Sequence, residues 1–551
     1  MRFTLLLVLL WVPAWGLATP GSVEESARHI EAALTVAAGD AREAGGAQRD
    51  FSSTDALLWF YAERGYAPAW EREDRLAQLV AALGSLEKDG LDPESYRLSD
   101  LRRSVAERAA SPADIACVDL LATDAFLNAM QDLALGRLDP AVVEPIWPSA
   151  DPAALKAQRL RVIMLAAGML DDIDGAFSQA RPSTPQYQGL RQAYVELMRL
   201  PPAAEGPIVP AGPLLREGDR DARVPLLRER LREYAPAASV DAADSEIYDA
   251  GLVAAVLAFQ RARGLAADGI VGPETLAALN RPVPSRLEQL RVNLERARWL
   301  AREPMPFGVV VDIAGAQIRY VRDGETVWSA RTQVGRASRP TPRLRSEVTH
   351  LTFNPSWTVP PTILRQDVLP RVREDIGYLK ENRMHVLDYR GGRLDPEDVD
   401  WHNPSGILVR QEPGPHNALG QVAIRFANPF HVYLHDTPSQ GIFERARRQV
   451  SSGCVRVERP MELVDLLIED GSDGGPERAA ELVAKEKTEN FYLTRPVPIL
   501  IGYWTADVAA DGSVVFRPDI YGRDDRIAEA LSRPALEAQS PVGCAEDGEP
   551  S

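Results

Sequence analysis

The spacing of apolar residues changes near residue 305, and this change constrains the fold more than any other feature. Before it, apolar residues recur at helical spacing, as in residues 120–127. After it, runs of β-branched residues alternate with turns, and the Asp323-Gly324 pair between two such runs predicts a β-hairpin. Because 551 residues exceed what one core normally holds, we expect a multidomain α+β protein. Its mainly antiparallel β domain should span residues 305–525.

The part of the chain before residue 305 is predicted to form two helical units. Residues 23–200 have helical periodicity and few β-branched clusters, which predicts an α-helical scaffold. Residues 201–218 are rich in Pro and Gly and predict a linker. Residues 219–282 then predict three short helices joined by glycine-containing turns, a pattern that any small helical bundle could share.

The charge of the chain narrows the choice of partners. Its formal net charge is −17 and its pI is about 5.1, so it lacks the excess of Lys and Arg that neutralises phosphates. We therefore expect no nucleic-acid partner. Acidity by itself favours solubility and indicates no particular ligand.

The N-terminus has the pattern of a secretory signal. Arg2 precedes an apolar run over residues 3–11, and small residues lead up to Ala18. This pattern predicts a signal peptide at residues 1–18 and an exported protein. The alternative is an uncleaved segment that associates with the membrane, although the apolar run is short for a membrane span.

Three cysteines, Cys117, Cys454 and Cys544, are too few for a fold built on disulfides. In an oxidising compartment, an odd number leaves at least one thiol unpaired or pairs it between chains. The sequence leaves open whether Cys117 pairs with Cys544, which lies in a polar C-terminal tail over residues 526–551.

Cys454 is preceded by a glycine and followed by a basic residue. Gly453 permits a tight turn, and the backbone N–H groups at Ser452 and Gly453 could stabilise the oxyanion that forms when a thiolate attacks a carbonyl. Arg456 could lower the pKa of the thiol or hold a substrate carboxylate. A single cysteine is also often a small buried apolar residue, so this segment alone does not decide its role.

A candidate base, His435, lies nineteen residues before Cys454 at the end of a β-like run. A thiol needs a base within about 3 Å to ionise at neutral pH, and a strand would hold the imidazole rigidly. Either Asp436 or a backbone carbonyl could orient the ring, because neighbouring residues of a strand point to opposite faces. The sequence contains no Cys-x-x-Cys pair, so we expect a Cys–His enzyme without a metal.

Together the two segments resemble the signature of a known family, the L,D-transpeptidases, in its branch of long periplasmic enzymes with a helical scaffold. The segments that carry this resemblance are residues 433–438, 451–456, 354–360, 413–420 and 503–506. The sequence also departs from the family at two points. Ser452 stands where many members have a histidine, and Asp436 stands where many have a small residue. Residues 219–282 resemble the small peptidoglycan-binding domain found in many wall enzymes.

The resemblance implies a periplasmic enzyme that uses Cys454 as nucleophile and His435 as base. Cys454 would attack a tetrapeptide stem and release D-Ala, and the diaminopimelate side chain of a second stem would accept the acyl group in a 3→3 cross-link. Tyr433, Trp357 and Asn417, which lie in the matching motifs, would bind substrate. The resemblance implies no metal or organic cofactor, and it implies that carbapenems acylate Cys454.

Three alternatives share parts of this pattern. Water could hydrolyse the same acyl-enzyme, which would give an L,D-carboxypeptidase or a cross-link hydrolase. The chain could also be a wall-binding scaffold without catalysis, although an intact Cys454–His435 pair argues against this. A papain-like protease is disfavoured, because its nucleophile precedes its histidine in the chain. Residues 363–415 interrupt the β pattern with charged and turn residues, and we expect either a mobile cap over the cleft or a passive insertion.

Overall fold

A computed structural model describes most of the chain between residues 20 and 533. The described residues are 20–43, 53–107, 111–146, 148, 151–200, 207–231, 246–263, 265–280, 283–445, 447–473, 475, 477–509 and 511–533. The predicted signal peptide, Cys544 and the tail beyond residue 533 lie outside them. Within this part of the chain, no helix is both long and apolar enough to cross a membrane. The chain divides into two compact units, residues 1–135 with 151–182, and residues 136–150 with 183–532.

The first unit is helical, as the sequence predicts. Its long helix α5 is buried along most of its length, and Phe60, Leu83, Phe126 and Phe177 pack together in its core. Cys117, on this helix, is disulfide-bonded. The helices of the first 200 residues, all in this unit except α6 and α9, are α1 (Pro20–Glu43), α2 (Ser53–Ala62), α3 (Glu73–Ser85), α4 (Leu98–Glu107), α5 (Pro112–Leu135), α6 (Pro140–Val143), α7 (Pro152–Gly168), α8 (Ile173–Ala180) and α9 (Pro185–Met198).

Three short helices form a small bundle in the second unit. They are α10 (Val224–Arg230), α11 (Ala250–Ala262) and α12 (Pro273–Leu279). The buried Gln260 holds the turn between the last two, since its Nε2 donates to the Asp268 carboxylate (2.9 Å) and its Oε1 accepts from the Gly269 N–H (2.9 Å). Gly269 has φ 68°, where a glycine is favoured. Helix α13 (Val283–Arg302) follows and ends just before the change of periodicity.

Beyond residue 305 the chain forms a nine-stranded sheet that is mainly antiparallel. Its strands are β1 (Gly308–Asp312), β2 (Gln317–Arg322), β3 (Glu325–Gly335), β4 (Leu344–Phe353), β9 (Val422–Phe426), β10 (Leu434–His435), β11 (Gln449–Ser451), β12 (Val455–Val457) and β13 (Glu489–Gly502). They pair in the order β11-β3-β12-β10-β9-β4-β13-β1-β2, and β2 also pairs with β3. Because of this last pairing, the eight strands from β3 to β2 in this order close into a ring. Strand β11 lies outside the ring and pairs only with β3.

The insertion, residues 354–421 between β4 and β9, is a folded layer. The sequence predicts here a long loop with helical turns, whereas the structure also has a four-stranded sheet with the order β5-β8-β6-β7. Its elements are β5 (Trp357–Thr358), α14 (Pro361–Ile363), α15 (Leu369–Glu374), α16 (Gly377–Glu381), β6 (Met384–Asp388), β7 (Arg393–Leu394) and β8 (Ile407–Gln411). Val368, Val372, Leu379, Val386 and Val409 form a buried apolar core of its own.

The C-terminal part of the second unit returns to helices. Its elements are α17 (Pro460–Gly471), α18 (Glu477–Ala484), β14 (Ala506–Val508), β15 (Val514–Phe516) and α19 (Asp524–Ser532). Helix α19 corrects the predicted start of the tail at residue 526, because Ile527 and Leu531 are buried against Val292 and Trp299 of α13. Apolar spacing on one side of this short helix is the reason that it packs.

Candidate active site

The register of the ring brings the two candidate catalytic residues to one face. Strands β10 and β12 are parallel, with Leu434 opposite Val455 and His435 opposite Arg456. Side chains two residues apart share a face, so Cys454, one residue before β12, lies on the same face as His435. The alternate residues Leu434 and Val455 point to the other face and are buried in the core of the ring.

Two rows of side chains cross this face. The thiol row comprises Cys454, Tyr433, Arg425, His350 and Tyr492, and the histidine row comprises Gln333, Arg456, His435, Ala423, Thr352 and Asn490. Contacts follow both rows: the His350 and Tyr492 rings stack at 5.0 Å, and Thr352 Oγ1 donates to Asn490 Oδ1 at 2.9 Å. The nucleophile and the base are thus diagonal neighbours in two adjacent rows.

The turn that carries Cys454 is held by hydrogen bonds. Ser451 Oγ accepts from the Gly453 N–H (3.1 Å) and donates to the Cys454 carbonyl (2.6 Å), and Thr341 Oγ1 donates to the Gly453 carbonyl (2.9 Å). Gly453 has φ 115°, which an L side chain rarely adopts. The Gly453 N–H already donates to Ser451, so its role as an oxyanion donor stays a prediction. The Cys454 N–H has no acceptor among the described residues.

The Cys454 side chain is half-buried, and its Sγ lies 4.0 Å from the His431 carbonyl oxygen. Burial raises the pKa of the thiol above its usual value. Hydrogen bonds from Tyr433 and the positive charges of Arg425 and Arg456 lower the pKa, but burial dominates. The resting form at neutral pH is therefore the thiol, and attack on a carbonyl requires a base.

The His435 ring is oriented by a backbone carbonyl. Its Nδ1 lies 2.5 Å from the Asp436 carbonyl oxygen, which can only accept, so Nδ1 carries the proton and Nε2 has a free lone pair. The Asp436 carboxylate instead accepts from the Gln421 N–H (2.9 Å) and Gln440 Nε2 (3.2 Å). Of the two alternatives that the sequence leaves open, the structure has the carbonyl.

The environment of His435 keeps the imidazole neutral. Its pKa is lowered to about 3, chiefly by burial and also by the nearby positive charges of Arg456 and Arg425, against the opposing effect of the Asp436 hydrogen bond. The neutral ring can accept a proton from the thiol through Nε2. A thiol and a neutral imidazole thus share this face of the ring.

Tyr433 lies between the two rows. Its ring is 5.7 Å from the His435 ring, and the Arg425 Cζ lies 3.9 Å from its centre. Burial raises the pKa of the Tyr433 hydroxyl, so it stays protonated beside Cys454. The sequence predicts a binding role for Tyr433, and the structure does bring it next to the thiol.

Arg456 is engaged within the protein. Its Nη1 donates to the Oε1 of the buried Gln333 at 2.8 Å, and burial lowers the pKa of its guanidinium. Its charge acts on both Cys454 and His435. Of the two roles that the sequence offers, an effect on the thiol pKa fits this position, and contact with a substrate carboxylate stays a prediction.

The side chain of Ser452 connects the nucleophile turn to the insertion. Arg339 Nη1 donates to Ser452 Oγ (2.8 Å) and to the Asp367 carboxylate (2.5 Å), and Arg339 also bonds Gln366. Asp367 and Gln366 belong to the insertion. We call the contacts of Arg339 with Ser452, Asp367 and Gln366 the clasp. Sequence reasoning missed it, because Arg339 and Ser452 are 113 positions apart in the chain.

Two predicted substrate-binding residues lie in the insertion and are not brought to the rows. Asn417 is buried, its Nδ2 donates to the Glu412 carbonyl (2.8 Å), and its Oδ1 accepts from the Leu419 N–H (2.8 Å). The polar atoms of Asn417 thus hold a turn, and its contact with substrate stays a prediction. Trp357 is half-buried against the apolar core of the insertion, and its contact with substrate stays a prediction.

The described residues contain no group of three or more His, Cys, Asp or Glu side chains that could hold a metal ion. The ionisable side chains in the two rows of this face are a thiol, two imidazoles, two phenols and two guanidiniums.

Comparison with known proteins finds three families that parts of this chain match. Residues 306–476 match the family described as "L,D-transpeptidase catalytic domain". The family that this part of the chain matches is thus the one that its motifs resemble. Residues 220–279 match a "Putative peptidoglycan binding domain", and residues 29–193 match a "Scaffold domain". The predicted resemblance and the fold class, a multidomain α+β protein, are confirmed.

The comparisons also find one curated protein and several solved structures that are similar to this chain. A Haemophilus influenzae protein named "Putative L,D-transpeptidase" is 32% identical over 274 residues, which are 48% of this chain and 55% of that protein. The chain thus spans about half the length of this curated relative. An L,D-transpeptidase structure from Xylanimonas cellulosilytica has 17% identity, covers 53% of this chain and 99% of its own, and gives a TM-score of 0.18. An L,D-transpeptidase structure from Mycobacterium smegmatis has 16% identity, covers 35% of this chain and 57% of its own, and gives a TM-score of 0.16.

Proposed function

We propose that this protein is a peptidoglycan L,D-transpeptidase that forms 3→3 cross-links through a Cys454 acyl-enzyme and releases D-Ala. One observation carries the proposal. The His435 imidazole, neutral and with Nε2 unprotonated, stands beside Cys454 on one face of the transpeptidase domain. A base held on a strand next to a thiol is the arrangement that acyl transfer by cysteine needs.

Acylation begins when Cys454 Sγ attacks the carbonyl that joins diaminopimelate to the terminal D-Ala, while His435 Nε2 takes the thiol proton. The Cys454 N–H and the Tyr433 hydroxyl would donate to the oxyanion. As the tetrahedral species collapses, the C–N bond breaks and His435 returns the proton to the departing amine. D-Ala leaves, and a thioester remains on Cys454.

In the second half, the side-chain amine of another stem attacks the thioester carbonyl. His435 takes a proton from this amine and returns it to the sulfur as the C–S bond breaks, so no proton is gained or lost over the cycle. Water in place of the amine would give an L,D-carboxypeptidase or a cross-link hydrolase from the same acyl-enzyme.

We also propose that the insertion is a cap over the cleft. The clasp of Arg339 with Asp367 and Ser452 supports this role, because it connects the insertion to the turn that carries the nucleophile. A cap in this position would hold the stem peptides and exclude water from the thioester.

The small helical bundle supports a location at the cell wall. Because residues 220–279 match a peptidoglycan-binding family, we propose that this bundle holds the enzyme on its polymeric substrate. The exported, periplasmic location and the signal peptide belong to the same proposal.

The proposal is tested with purified sacculi rich in tetrapeptide stems. Mass analysis of the muropeptides after incubation should show 3→3 dimers and free D-Ala, and the Cys454→Ala protein should give neither. Tripeptides without dimers would identify a carboxypeptidase instead. Dimers formed by the Cys454→Ala protein would refute the mechanism.

Carbapenems provide a second test of the same site. A strained β-lactam amide opens when the thiol attacks it, so intact-mass spectrometry with imipenem or meropenem should show one adduct on Cys454. The Cys454→Ala protein is the control. If the active protein gains no drug mass, the proposed thiol site is wrong.

A further inference from the structure

We propose that Arg425 recognises the free carboxylate at the end of the donor stem and thereby decides which peptides Cys454 attacks. This inference rests on the proposed transpeptidase function. It assigns a ligand group to a residue whose importance the sequence does not reveal.

The register of the ring places Arg425 near the thiol. In the antiparallel pair β9–β10, Ala423 is opposite His435 and Ile424 is opposite Leu434, so Arg425 is opposite Tyr433. Tyr433 is the neighbour of Cys454 in the thiol row. Arg425 and Cys454 are therefore two strand spacings apart, about 10 Å between backbones. The guanidinium lies over the Tyr433 ring, 3.9 Å from its centre, in the space between them.

The charge of Arg425 reaches the reacting groups. It lowers the pKa of the Cys454 thiol and of the His435 imidazole, and it lowers the pKa of His350 on the other side. A negative ligand that lies next to Cys454 would therefore be attracted by this guanidinium.

Among the described residues, neither an amide nor a carboxylate side chain accepts from Arg425, whereas the other two arginines near the nucleophile are engaged in this way. Arg456 donates to Gln333, and Arg339 is paired with Asp367. Among the described residues, no carboxylate forms an ion pair with Arg425, and the thiol row contains no acidic side chain. The side chain is half-buried on Tyr433. A carboxylate ligand would thus meet a partly desolvated guanidinium that is already fixed in place.

The chemistry of the donor supplies such a carboxylate. In a tetrapeptide stem, the terminal D-Ala carries its carboxylate one residue beyond the carbonyl that is attacked. When that carbonyl lies at Cys454 Sγ, the carboxylate reaches the space over Tyr433, where the Arg425 guanidinium can donate two parallel hydrogen bonds. A stem that ends in a carboxamide, or that continues by a further residue, lacks this charge at this place.

The test compares two donors that differ only at the terminus, a tetrapeptide muropeptide and its C-terminal carboxamide. The release of D-Ala or of D-alaninamide is measured for the wild type, Arg425→Met, Arg425→Lys and the matched control Arg495→Met, an exposed arginine of β13 that pairs with Asp473. We expect kcat/KM of Arg425→Met to fall about 10- to 100-fold for the free acid and by much less for the carboxamide. Arg425→Lys should retain part of the preference, and Arg495→Met all of it.

A purely electrostatic effect of Arg425 on the thiol gives a different result. Arg425→Met would then slow both donors equally and would change the rate at which iodoacetamide alkylates Cys454 by the same factor. That outcome overturns the proposal. An equal rate of the wild type on the two donors also overturns it.

Failure of the proposed function is recognised separately. If acyl transfer goes to water, the release of D-Ala still measures the preference for the carboxylate. If neither donor reacts, the transpeptidase proposal fails, and protection of Cys454 from iodoacetamide by the tetrapeptide is measured instead. Protection in the wild type but not in Arg425→Met supports carboxylate binding, whereas equal protection, or none, refutes it.

Discussion

Two buried polar clusters, one in each unit, differ in how completely their hydrogen bonds are made. Around Asp119 in the helical unit, the carboxylate accepts from the Ala69 and Trp70 N–H groups (2.9 and 2.7 Å) and from the Tyr61 hydroxyl (2.6 Å). Thr123 Oγ1 accepts from the Trp70 ring N–H (2.9 Å). Burial raises the pKa of Asp119 to about 6, and these bonds oppose the shift.

The cluster around His435 is left incomplete. Burial lowers the pKa of this histidine to about 3. Among the described residues, the His435 Nε2 and the Cys454 N–H have no partner, and neither has the Arg456 Nε. The contrast shows that a shifted pKa does not by itself mark a catalytic site. Buried polar groups without a hydrogen-bond partner are a better sign of a catalytic site. Each such group lowers the stability of the fold, and a cluster with a purely structural role would bond it.

The largest expected effect is on the chemistry of the incomplete cluster. Cys454→Ala should abolish cross-linking, and His435→Ala should lower its rate by at least about 10²-fold, because the thiol then has no base. Muropeptide analysis measures both, and circular dichroism should show that the fold is retained. Full turnover by a folded Cys454→Ala protein would show that the incomplete cluster is not the catalytic one.

The pH dependence of His435 sharpens the comparison. Its folded pKa of about 3 lies below the usual unfolded value, about 6.5. The neutral ring therefore contributes stability that is complete above about pH 6.5 and is lost as the pH falls toward 3. The contribution amounts to about 5 kcal/mol. Side-chain NMR of histidine should show His435 neutral at pH 5. Titration near pH 6.5 would mean that the site is open to solvent.

The complete cluster should respond in stability rather than in chemistry. Asp119→Ala leaves two backbone N–H groups unpaired in the core and removes one of the two partners of the Tyr61 hydroxyl, which keeps Thr123, so it should destabilise the helical unit by about 3 kcal/mol. Thermal unfolding measures the loss. The rate of carbapenem acylation at Cys454 per folded molecule should stay unchanged, and a parallel fall in that rate would contradict the structural assignment.

The smallest expected effect concerns the clasp. Asp367→Asn keeps the shape of the side chain but removes the charge that faces Arg339, so KM for the donor stem should rise by about 3- to 10-fold with little change in kcat. Glu381→Gln, an exposed change on α16 of the same insertion, is the matched control. An unchanged KM in Asp367→Asn would mean that the insertion does not act through this contact.

The catalytic pair could be predicted from the sequence because each member carries a local pattern. His435 ends a β-like run, and Cys454 follows a glycine that a positive φ requires. The hydrogen bonds that Asn417 and the Gly453 N–H make within the protein could not be predicted. A motif does not show whether a polar group is already bonded within the protein. Arg425 was missed because its position near the thiol depends on sheet register.

The fold, too, could be predicted where the sequence carries a local pattern and could not be predicted elsewhere. The change from helical to β periodicity predicts the class, and glycine turns predict the small bundle. The strands of the insertion and the closure of the ring could not be predicted. Strands of two residues, such as β5 and β7, have no periodicity to detect, and the pairing of β2 with β3 is a property of the whole sheet.

The two ends of the insertion adjoin each other, because Phe353 and Val422 are directly opposite in the pair β4–β9. The 68 residues of the insertion thus connect two neighbouring strands of the ring, which a short hairpin turn could also connect. Evolution can therefore lengthen, shorten or exchange this layer without opening the ring or shifting His435 and Cys454. Recombination at this junction offers a route by which wall enzymes could change the polymers they accept while inheriting the same reaction, and chimaeras joined at residues 353 and 422 would transfer one preference at a time.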